Sequence, residues 1–313
     1  MKRRIFAAIL LVSLLCGCAN TAAPTETNPD TAVYFVDDLG RTVTVNQPRR
    51  VATLLGSFAE VWTLSGGTVC AAPEDAWDDF GLELPDAIHI GGAHSPSLEQ
   101  LLSADPDFVI ASASTASNVA LRETLEAAGI PVAYFDVDNF EDYLRMLDIC
   151  TDITRRKDLY EQNGTALARQ IDELKKLVSD AQLPEERRTV LLLRAASGFV
   201  KAKGSEGTIL GEMLADLGCI NIADSDTSLL ENLSVESVIW QNPYRIFVVT
   251  MGNDTQKAQE NLEKMFRENP AWGTLEAVQQ ERLYLMDRKL FNIKPNARWA
   301  ESYEILTEIL LGA

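Results

Sequence analysis

The sequence is poor in the residues from which proteins build metal and redox sites. Its 313 residues include two histidines and five cysteines. Cys70, Cys150 and Cys219 stand far apart, and no Cys-x-x-Cys pair occurs. This spacing excludes a disulfide framework and argues against a zinc or iron–sulfur site, so we interpret all three as small hydrophobic side chains.

The short motifs of common enzymes are also absent. We find no Gly-x-Ser-x-Gly elbow, no Walker phosphate loop and no dinucleotide fingerprint after an apolar strand. Positive charge is scarce as well, because 28 Lys and Arg stand against 46 Asp and Glu and the net charge is −18. A chain this acidic repels nucleic acid and anionic lipid. We therefore expect a protein that is not an enzyme and has no nucleic-acid partner.

The apolar stretch at residues 5–15 is too short to span a membrane, which takes about 20 residues. It follows Lys2-Arg3-Arg4 and ends at Leu15-Cys16-Gly17-Cys18, an arrangement typical of a secretion signal. Leu-x-Gly-Cys resembles the bacterial lipobox, which implies cleavage before Cys18 and a diacylglyceryl thioether on its sulfur. We predict a lipoprotein signal peptide at 1–18, a flexible tether at 19–32 and an extracytoplasmic protein anchored to the bacterial cell membrane. Simple secretion, with Cys18 incidental, is the alternative.

One sixteen-residue pattern occurs twice, 137 positions apart. Ser97 to Ser112 reads SLEQLLSADPDFVIAS, and Ser234 to Val249 reads SVESVIWQNPYRIFVV. In each copy a Ser can cap a helix whose first turn holds a Glu, and a Pro then precedes an apolar run that suits a buried strand. The repeat indicates two similar halves, and the gap between two such halves is a common ligand site.

Strand and helix patterns alternate in both halves, which is typical of mainly parallel sheets covered by helices. Residues 154–181 instead carry apolar side chains at helical spacing and no strand signal, and Gly164 is the expected weak point of this helix. The predicted fold is α/β, with two Rossmann-like lobes joined by a single long α-helix and a ligand cleft between the lobes. The lobes are 33–153 and 182–313, and the connecting helix is 154–181. The predicted strands are 51–55, 88–90, 108–111, 132–135, 189–194, 246–250 and 283–286, with a hairpin in 33–45.

Five segments in order resemble one family. They are DDLGRTVTV, VATLLGSFAEVWTLSGG, GGAHSPSLEQLLSADPDFVIAS, NPAWGTLEAVQQERLYLMD and KPNARWAESYEIL. They resemble the helical-backbone (class III) substrate-binding lipoproteins of ABC importers, whose members carry ferric siderophores, haem or cobalamin. The resemblance implies a monomeric receptor that captures an iron complex, either a ferric siderophore or haem. It also implies delivery to a permease dimer with its ATPase subunits.

Two alternatives stay open beside this reading. Within the family, the chain could carry cobalamin or another corrinoid. Outside it, a lipid-anchored α/β enzyme is the alternative, because a fold does not fix a function.

The resemblance also assigns permease docking to Glu99 and Glu236, the two Glu residues of the repeat. Their simpler interpretation is that each carboxylate complements the dipole of its helix, worth about 0.3–1 kcal/mol.

In open α/β sheets, ligands bind beyond the carboxyl ends of the strands. The loops expected there supply our candidate ligand-binding residues, which are polar, cationic, aromatic or thioether-bearing: Ser57, Phe58, His94, Ser95, Arg194, Phe199, Lys201, Met251, Phe291, Lys294 and Arg298. Cations concentrate in the second lobe, so we expect an anionic ligand such as a carboxylate-bearing chelate, with solvated loop cations as the alternative.

A haem ligand would need an axial residue. His94 is a weak candidate because it lies in a predicted cleft loop, and Met251 is a weaker one. His89 alternates with isoleucines in a strand pattern, which favours packing. We expect no metal held directly by the protein and no resident cofactor. The ligand itself, a ferric siderophore, haem or corrinoid, would bring the metal.

Overall fold

The computed structural model describes residues 31–252 and 254–312. The predicted signal peptide, Cys18 and nearly all of the predicted tether lie outside these residues. Within the described ranges, no helix combines the length and the apolar character that a membrane crossing requires.

The first lobe alternates strands and helices. Its strands are β1 (Val33–Val36), β2 (Thr42–Val45), β3 (Val51–Thr53), β4 (Val69–Ala72), β5 (Ile88–His89), β6 (Gly91–Gly92), β7 (Ser95–Pro96), β8 (Phe108–Ser112) and β9 (Val132–Phe135). Its helices are α1 (Gly56–Leu64), α2 (Asp75–Asp78), α3 (Leu98–Ser103), α4 (Ala116–Ala120), α5 (Arg122–Ala127) and α6 (Phe140–Thr154). Five strands form a parallel sheet in the order β5-β4-β3-β8-β9, while β1 and β2 form the predicted hairpin.

A helical segment connects the lobes. It runs from α7 (Lys157–Tyr160) through a π-helical turn (Glu161–Thr165) into α8 (Ala166–Asp180). The segment begins three residues after the predicted 154, because α6 extends to Thr154 and Arg155 then adopts a left-handed conformation. Gly164, the predicted weak point, is buried in the π-helical turn. A single π turn distorts a helix without breaking it, so the link remains one helix.

The second lobe begins after this link. Its strands are β10 (Thr189–Ala196), β11 (Phe199–Lys203), β12 (Ile220–Asn221), β13 (Arg245–Thr250) and β14 (Leu283–Met286). Its helices are α9 (Glu185–Arg188), α10 (Ile209–Asp216), α11 (Ile222–Ser225), α12 (Thr227–Asn232), α13 (Val235–Gln241), α14 (Thr255–Glu268), α15 (Glu276–Gln279), α16 (Arg288–Phe291) and α17 (Trp299–Leu311), with 3-10 turns at Pro270–Thr274 and Asn296–Arg298. The sheet order is β11-β10-β13-β14, with β12 beside β10 and β11 antiparallel to β10. The predicted α/β fold with parallel sheets is confirmed.

The sequence repeat corresponds to the same helix and strand in each lobe. Ser97 and Ser234 cap α3 and α13, and each hydroxyl accepts a hydrogen bond at 3.3 Å from the backbone N–H three residues on. Such caps are worth about 1 kcal/mol. The helices lead into β8 and β13, which are buried along their whole length. These strands pair in parallel with β3 and β10, so both halves have the same central strand pair.

One hydrophobic core spans the two lobes. It joins residues around α1 and α6 of the first lobe to β10, α10 and α17 of the second. At the junction, the fully buried Trp299 ring lies 5.7 Å from the ring of Phe140 and 6.4 Å from that of Tyr143, measured between centroids. Buried Asn296 adds a polar link, since its amide donates to the Ser57 carbonyl at 2.9 Å and to the Glu60 carboxylate at 2.7 Å.

We expect only small lobe movement on ligand binding. A wide closure would separate Trp299 from Phe140 and expose aromatic surface that the core now buries. Solution scattering with and without ligand is expected to give the same radius of gyration within error. A large decrease on ligand addition would show that the lobes hinge despite this shared core.

Candidate functional site

A cleft of about 1070 Å³ lies between the lobes, beyond the carboxyl ends of both parallel sheets. In the first sheet, the chain reverses its direction of strand addition between β3 and β8, and in the second between β10 and β13. Such switch points are the usual ligand positions in open α/β sheets. The loops that follow β3, β4, β13 and β14 all contribute to the cleft wall.

The first-lobe wall is acidic. Glu74, Asp75, Asp78 and Asp79 line it, on the segment that follows β4 and includes α2. This segment packs closely on the start of α1, where the Gly56 N–H donates to Asp75 Oδ2 at 2.9 Å. A Cβ atom at Gly56 would lie 2.5 Å from the Ala76 nitrogen, so only glycine permits this approach. Burial raises the pKa of Asp75 above its usual range, although the Gly56 N–H opposes the shift.

The second-lobe wall carries Asp287 and three cations, Arg288, Lys289 and Lys294. Asp287 caps α16, where its Oδ1 accepts from the Lys289 N–H at 2.6 Å. Arg288 reaches across the cleft and forms a bidentate ion pair with Asp79, with N–O distances of 2.6 and 3.0 Å. Both side chains are mostly buried, so this pair ties the acidic wall to the cationic one.

Lys294 differs from its neighbours in lacking a polar partner within the described part of the chain, whereas Arg288 pairs with Asp79 and the Lys289 ammonium donates to the Asp78 carbonyl at 3.4 Å. Its side chain is half-buried, and its ammonium lies 6.0 Å from the centroid of the Phe58 ring. Among the described residues it has no ion pair or hydrogen-bond partner. Burial lowers the pKa of Lys294, while Asp138, Asp136 and Asp142 act in the opposite direction from a distance. The cleft therefore contains a partly desolvated cation that an anionic ligand can pair with.

Four of the predicted ligand residues line this cleft, namely Ser57, His94, Ser95 and Lys294. His94 is exposed in the turn between β6 and β7. His94 and Asp75 both line the cleft. Met251 follows β13 and is half-buried, outside the described cleft lining.

The aromatic candidates Phe58 and Phe291 lie in the core, with 1% and 2% of their surfaces exposed. We correct the expectation that their rings face the ligand. Phe58 lies on the inner face of α1 against Phe135, and Phe291 is in the same core at the end of α16. Helical periodicity turns both residues inward, although each sits close to a cleft loop.

Arg298 lies outside the cleft lining, on the exposed start of α17, and its guanidinium pairs with Glu301 at 2.6 and 2.7 Å. Arg194, Phe199 and Lys201 lie on the β10-β11 hairpin and are likewise outside the cleft lining. Arg194 and Lys201 are directly opposed in the antiparallel register, so their side chains share one face. The structure therefore separates the predicted cationic cluster into three groups rather than one.

No group of three or more His, Cys, Asp or Glu side chains in the part of the chain that the structure describes could hold a metal ion. His89 stacks on Trp77 with a centroid distance of 3.7 Å, which fits the predicted packing role. Phe80 is the only Phe, Tyr or Trp among the described residues that line the cleft.

Glu99 and Glu236 are both exposed in the first turns of their helices, outside the cleft lining. The Glu236 carboxylate accepts a hydrogen bond from its own capping residue, Ser234, at 3.1 Å. The two carboxylates thus occupy equivalent positions on the two lobes, as the repeat predicts.

The sequence analysis predicted neither the acidic wall nor its ion pair with Arg288. The cause is β4, whose sequence Val-Cys-Ala-Ala is short and rich in small side chains with little strand preference. Without β4, the loop after it could not be assigned to the cleft. The available signal was the acidic run Glu74 to Asp79 directly after this apolar segment.

The chain is similar to known binding proteins both in sequence and in fold. The family described as "Periplasmic binding protein" matches residues 51–290. The Fe(3+)-citrate-binding protein YfmC of Bacillus subtilis (strain 168) is 24% identical over 300 residues, covering 91% of this chain and 89% of that protein. YhfQ of the same organism, named as an ABC transporter substrate-binding lipoprotein, is 22% identical and covers 98% of this chain and 97% of its own. An ABC transporter substrate-binding protein from Listeria monocytogenes EGD-e superposes with a TM-score of 0.69 at 20% identity, covering 86% of this chain and all of that one.

Proposed function

The chain belongs to the periplasmic binding protein family, and from this membership and the unpaired cation Lys294 in the cleft we propose that it captures a ferric complex outside the cytoplasm for an ABC importer. The ligand class we propose is a ferric chelate with free carboxylates, of which ferric citrate is the simplest. The protein acts by binding and release, with no chemical step. The metal arrives within the chelate as cargo, and the protein keeps no cofactor of its own.

The observation that carries the ligand assignment is Lys294. A half-buried ammonium with no direct partner among the described residues lies at the cleft, where a carboxylate would find a charge-assisted hydrogen bond. Lys289 on the same wall adds a second cation. The name of the Bacillus subtilis relative YfmC supports the same ligand class.

The cleft chemistry is less suited to a macrocycle. A corrinoid or a haem presents a broad apolar face, which aromatic side chains usually cover. Phe80 alone provides such a ring among the described lining residues, and the acidic wall beside it suits polar contacts. His94 is an exposed imidazole able to reach a metal, so haem remains an outcome that the ligand test must separate from ferric citrate.

Delivery requires an anchor and a partner. We propose that Cys18 carries the lipid anchor, that the chain works as a monomer, and that Glu99 and Glu236 dock on a permease dimer driven by its ATPase subunits. The equivalent exposure of the two carboxylates supports this assignment. The lipoprotein name of the relative YhfQ supports the anchor.

Ligand-induced stabilisation tests the proposal. The purified protein lacking residues 1–32 is expected to melt at a higher temperature with ferric citrate, because a ligand at 100 Kd adds about 2.7 kcal/mol of stability. Citrate without iron, haemin and cyanocobalamin are the matched comparisons, and each is expected to give a smaller shift. Stabilisation by haemin or cyanocobalamin alone would contradict the ligand class and assign the protein to a macrocycle carrier.

A further inference from the structure

The second lobe exposes an unusual amount of apolar surface on α13. Trp240 is 87% exposed, and its neighbour Ile239 is 37% exposed. The opposite side of the helix is well packed, with Val235 and Val238 buried. The helix is fixed at its start by the Ser234 cap and at its end by a hydrogen bond of 3.1 Å from Gln241 to Asp226. Trp240 is thus held on a rigid support and faces solvent.

This apolar surface adjoins the docking carboxylate. Glu236 precedes Ile239 by three residues and Trp240 by four, so the three side chains share one face of the helix. The equivalent helix α3 presents Glu99 with Leu102 three residues later, and Leu102 is 40% exposed. The two lobes therefore repeat a carboxylate followed by an exposed aliphatic side chain.

The two copies of the repeat differ in the residue that follows the exposed aliphatic side chain. Where the second lobe has Trp240, the first lobe has Ser103, which follows Glu99 by four residues. A Trp contributes much more contact area than a Ser, and exposed Trp side chains are among the commonest energetic anchors of protein interfaces. The two carboxylates are thus equivalent in place, but their surroundings are chemically unequal.

We propose that Trp240 is an apolar anchor of the permease-docking surface, inserted into a hydrophobic pocket on the permease half that binds Glu236. This inference rests on the proposed function, since it needs a permease partner. A pocket with a cation beside it would take Glu236 and Trp240 together. The first lobe contributes only Glu99 and Leu102, so the second lobe supplies more of the binding energy.

A permease fits this surface better than a membrane or a second copy of the chain. Anionic lipid is repelled by a protein of net charge −18, and Glu236 lies directly beside the Trp. In a symmetric dimer of this chain, a Trp240 surface would bring two Glu236 carboxylates close together, which is unfavourable. A cationic, apolar protein surface satisfies both side chains.

Photo-crosslinking in intact cells tests the contact. A photoreactive phenylalanine analogue is introduced at position 240, 236, 99 or 177 of the full-length lipoprotein. Leu177 is the matched control because it is 53% exposed on the connecting helix α8, away from both repeat helices. We expect positions 240, 236 and 99 to crosslink to a permease subunit identified by mass spectrometry, and position 177 not to. Crosslinks from 236 and 99 without one from 240 would overturn the anchor alone, whereas no permease crosslink from any position would overturn the proposed importer role.

Transport measurements then test the energetic role. Trp240→Ser copies the residue of the first lobe, and we expect it to lower ferric citrate uptake about tenfold or more while ligand affinity stays unchanged. Trp240→Phe is expected to restore most of the uptake, and Leu177→Ser to have no effect. Wild-type uptake by Trp240→Ser would overturn the proposal. Two further measurements compare the wild-type and Trp240→Ser proteins, both lacking the tether. A difference in oligomeric state would assign Trp240 to self-association, and a difference in binding to anionic vesicles would assign it to lipid contact. Either result would also overturn the proposal.

Discussion

Replacing Lys294 by Glu is expected to abolish measurable binding of ferric citrate. The loss of one charge-assisted hydrogen bond is worth about 1.5–3 kcal/mol, so Lys294→Gln is expected to weaken binding about 10- to 150-fold. Lys294→Glu adds repulsion, because the new carboxylate would oppose an anionic ligand as well as the charges of Asp136 and Asp138, which act on this position from a distance. Isothermal titration or intrinsic fluorescence quenching measures the change.

The matched control is Lys176→Gln. Lys176 is 76% exposed on α8 and pairs with Asp180, outside the cleft lining. It is expected to bind ferric citrate as the wild type does. Lys294→Gln is also expected to unfold at the wild-type temperature or slightly above it, because burial disfavours the charged form of Lys294. Normal ferric citrate affinity in Lys294→Gln would show that the ligand does not use this cation.

The architecture could be predicted because it depends on patterns that recur along the chain. Capping serines, first-turn acids and a Pro before a β-branched run act locally, and the two copies supported each other. The missed strands were β4, β6, β7, β11 and β12, of which β6, β7 and β12 are each two residues long. Strand β4 is rich in small side chains, and the two residues of β12 are too short to show periodicity. The prediction placed the residues of β11 in the cleft loop after the strand 189–194.

The site was harder to predict than the fold, because membership of a cleft depends on side-chain direction. Phe58 and Lys294 are neighbours in space, yet the first points into the core and the second lines the cleft. Loop position alone could not separate them. Ion pairing was equally hidden, since Arg298 is neutralised by Glu301 three residues later and Arg288 by Asp79 of the other lobe. Only the three-dimensional structure distinguishes a paired cation from Lys294.

The repeat predicts a further large effect, in transport rather than in binding. The double variant Glu99→Ala/Glu236→Ala is expected to abolish ferric citrate uptake while ligand affinity and melting temperature stay close to wild type. Both carboxylates are exposed and lie outside the cleft lining and the core. A permease with one Arg on each half would bind them together, so each single variant is expected to show an intermediate uptake rate.

A first-turn acid ordinarily stabilises its helix by complementing the helix dipole, which is worth about 0.3–1 kcal/mol. The control variant must lose this stabilisation in both lobes and keep Glu99 and Glu236. Glu123 is the second residue of α5 in the first lobe and Glu185 is the first residue of α9 in the second, and both are exposed. Glu123→Ala/Glu185→Ala therefore removes the same number of helix-stabilising charges from the same two lobes. Wild-type uptake by this control, together with none by Glu99→Ala/Glu236→Ala, assigns the loss to docking. Equal loss in both double variants would instead mean that helix stability, and not contact with a permease, explains why the repeat has these two acids.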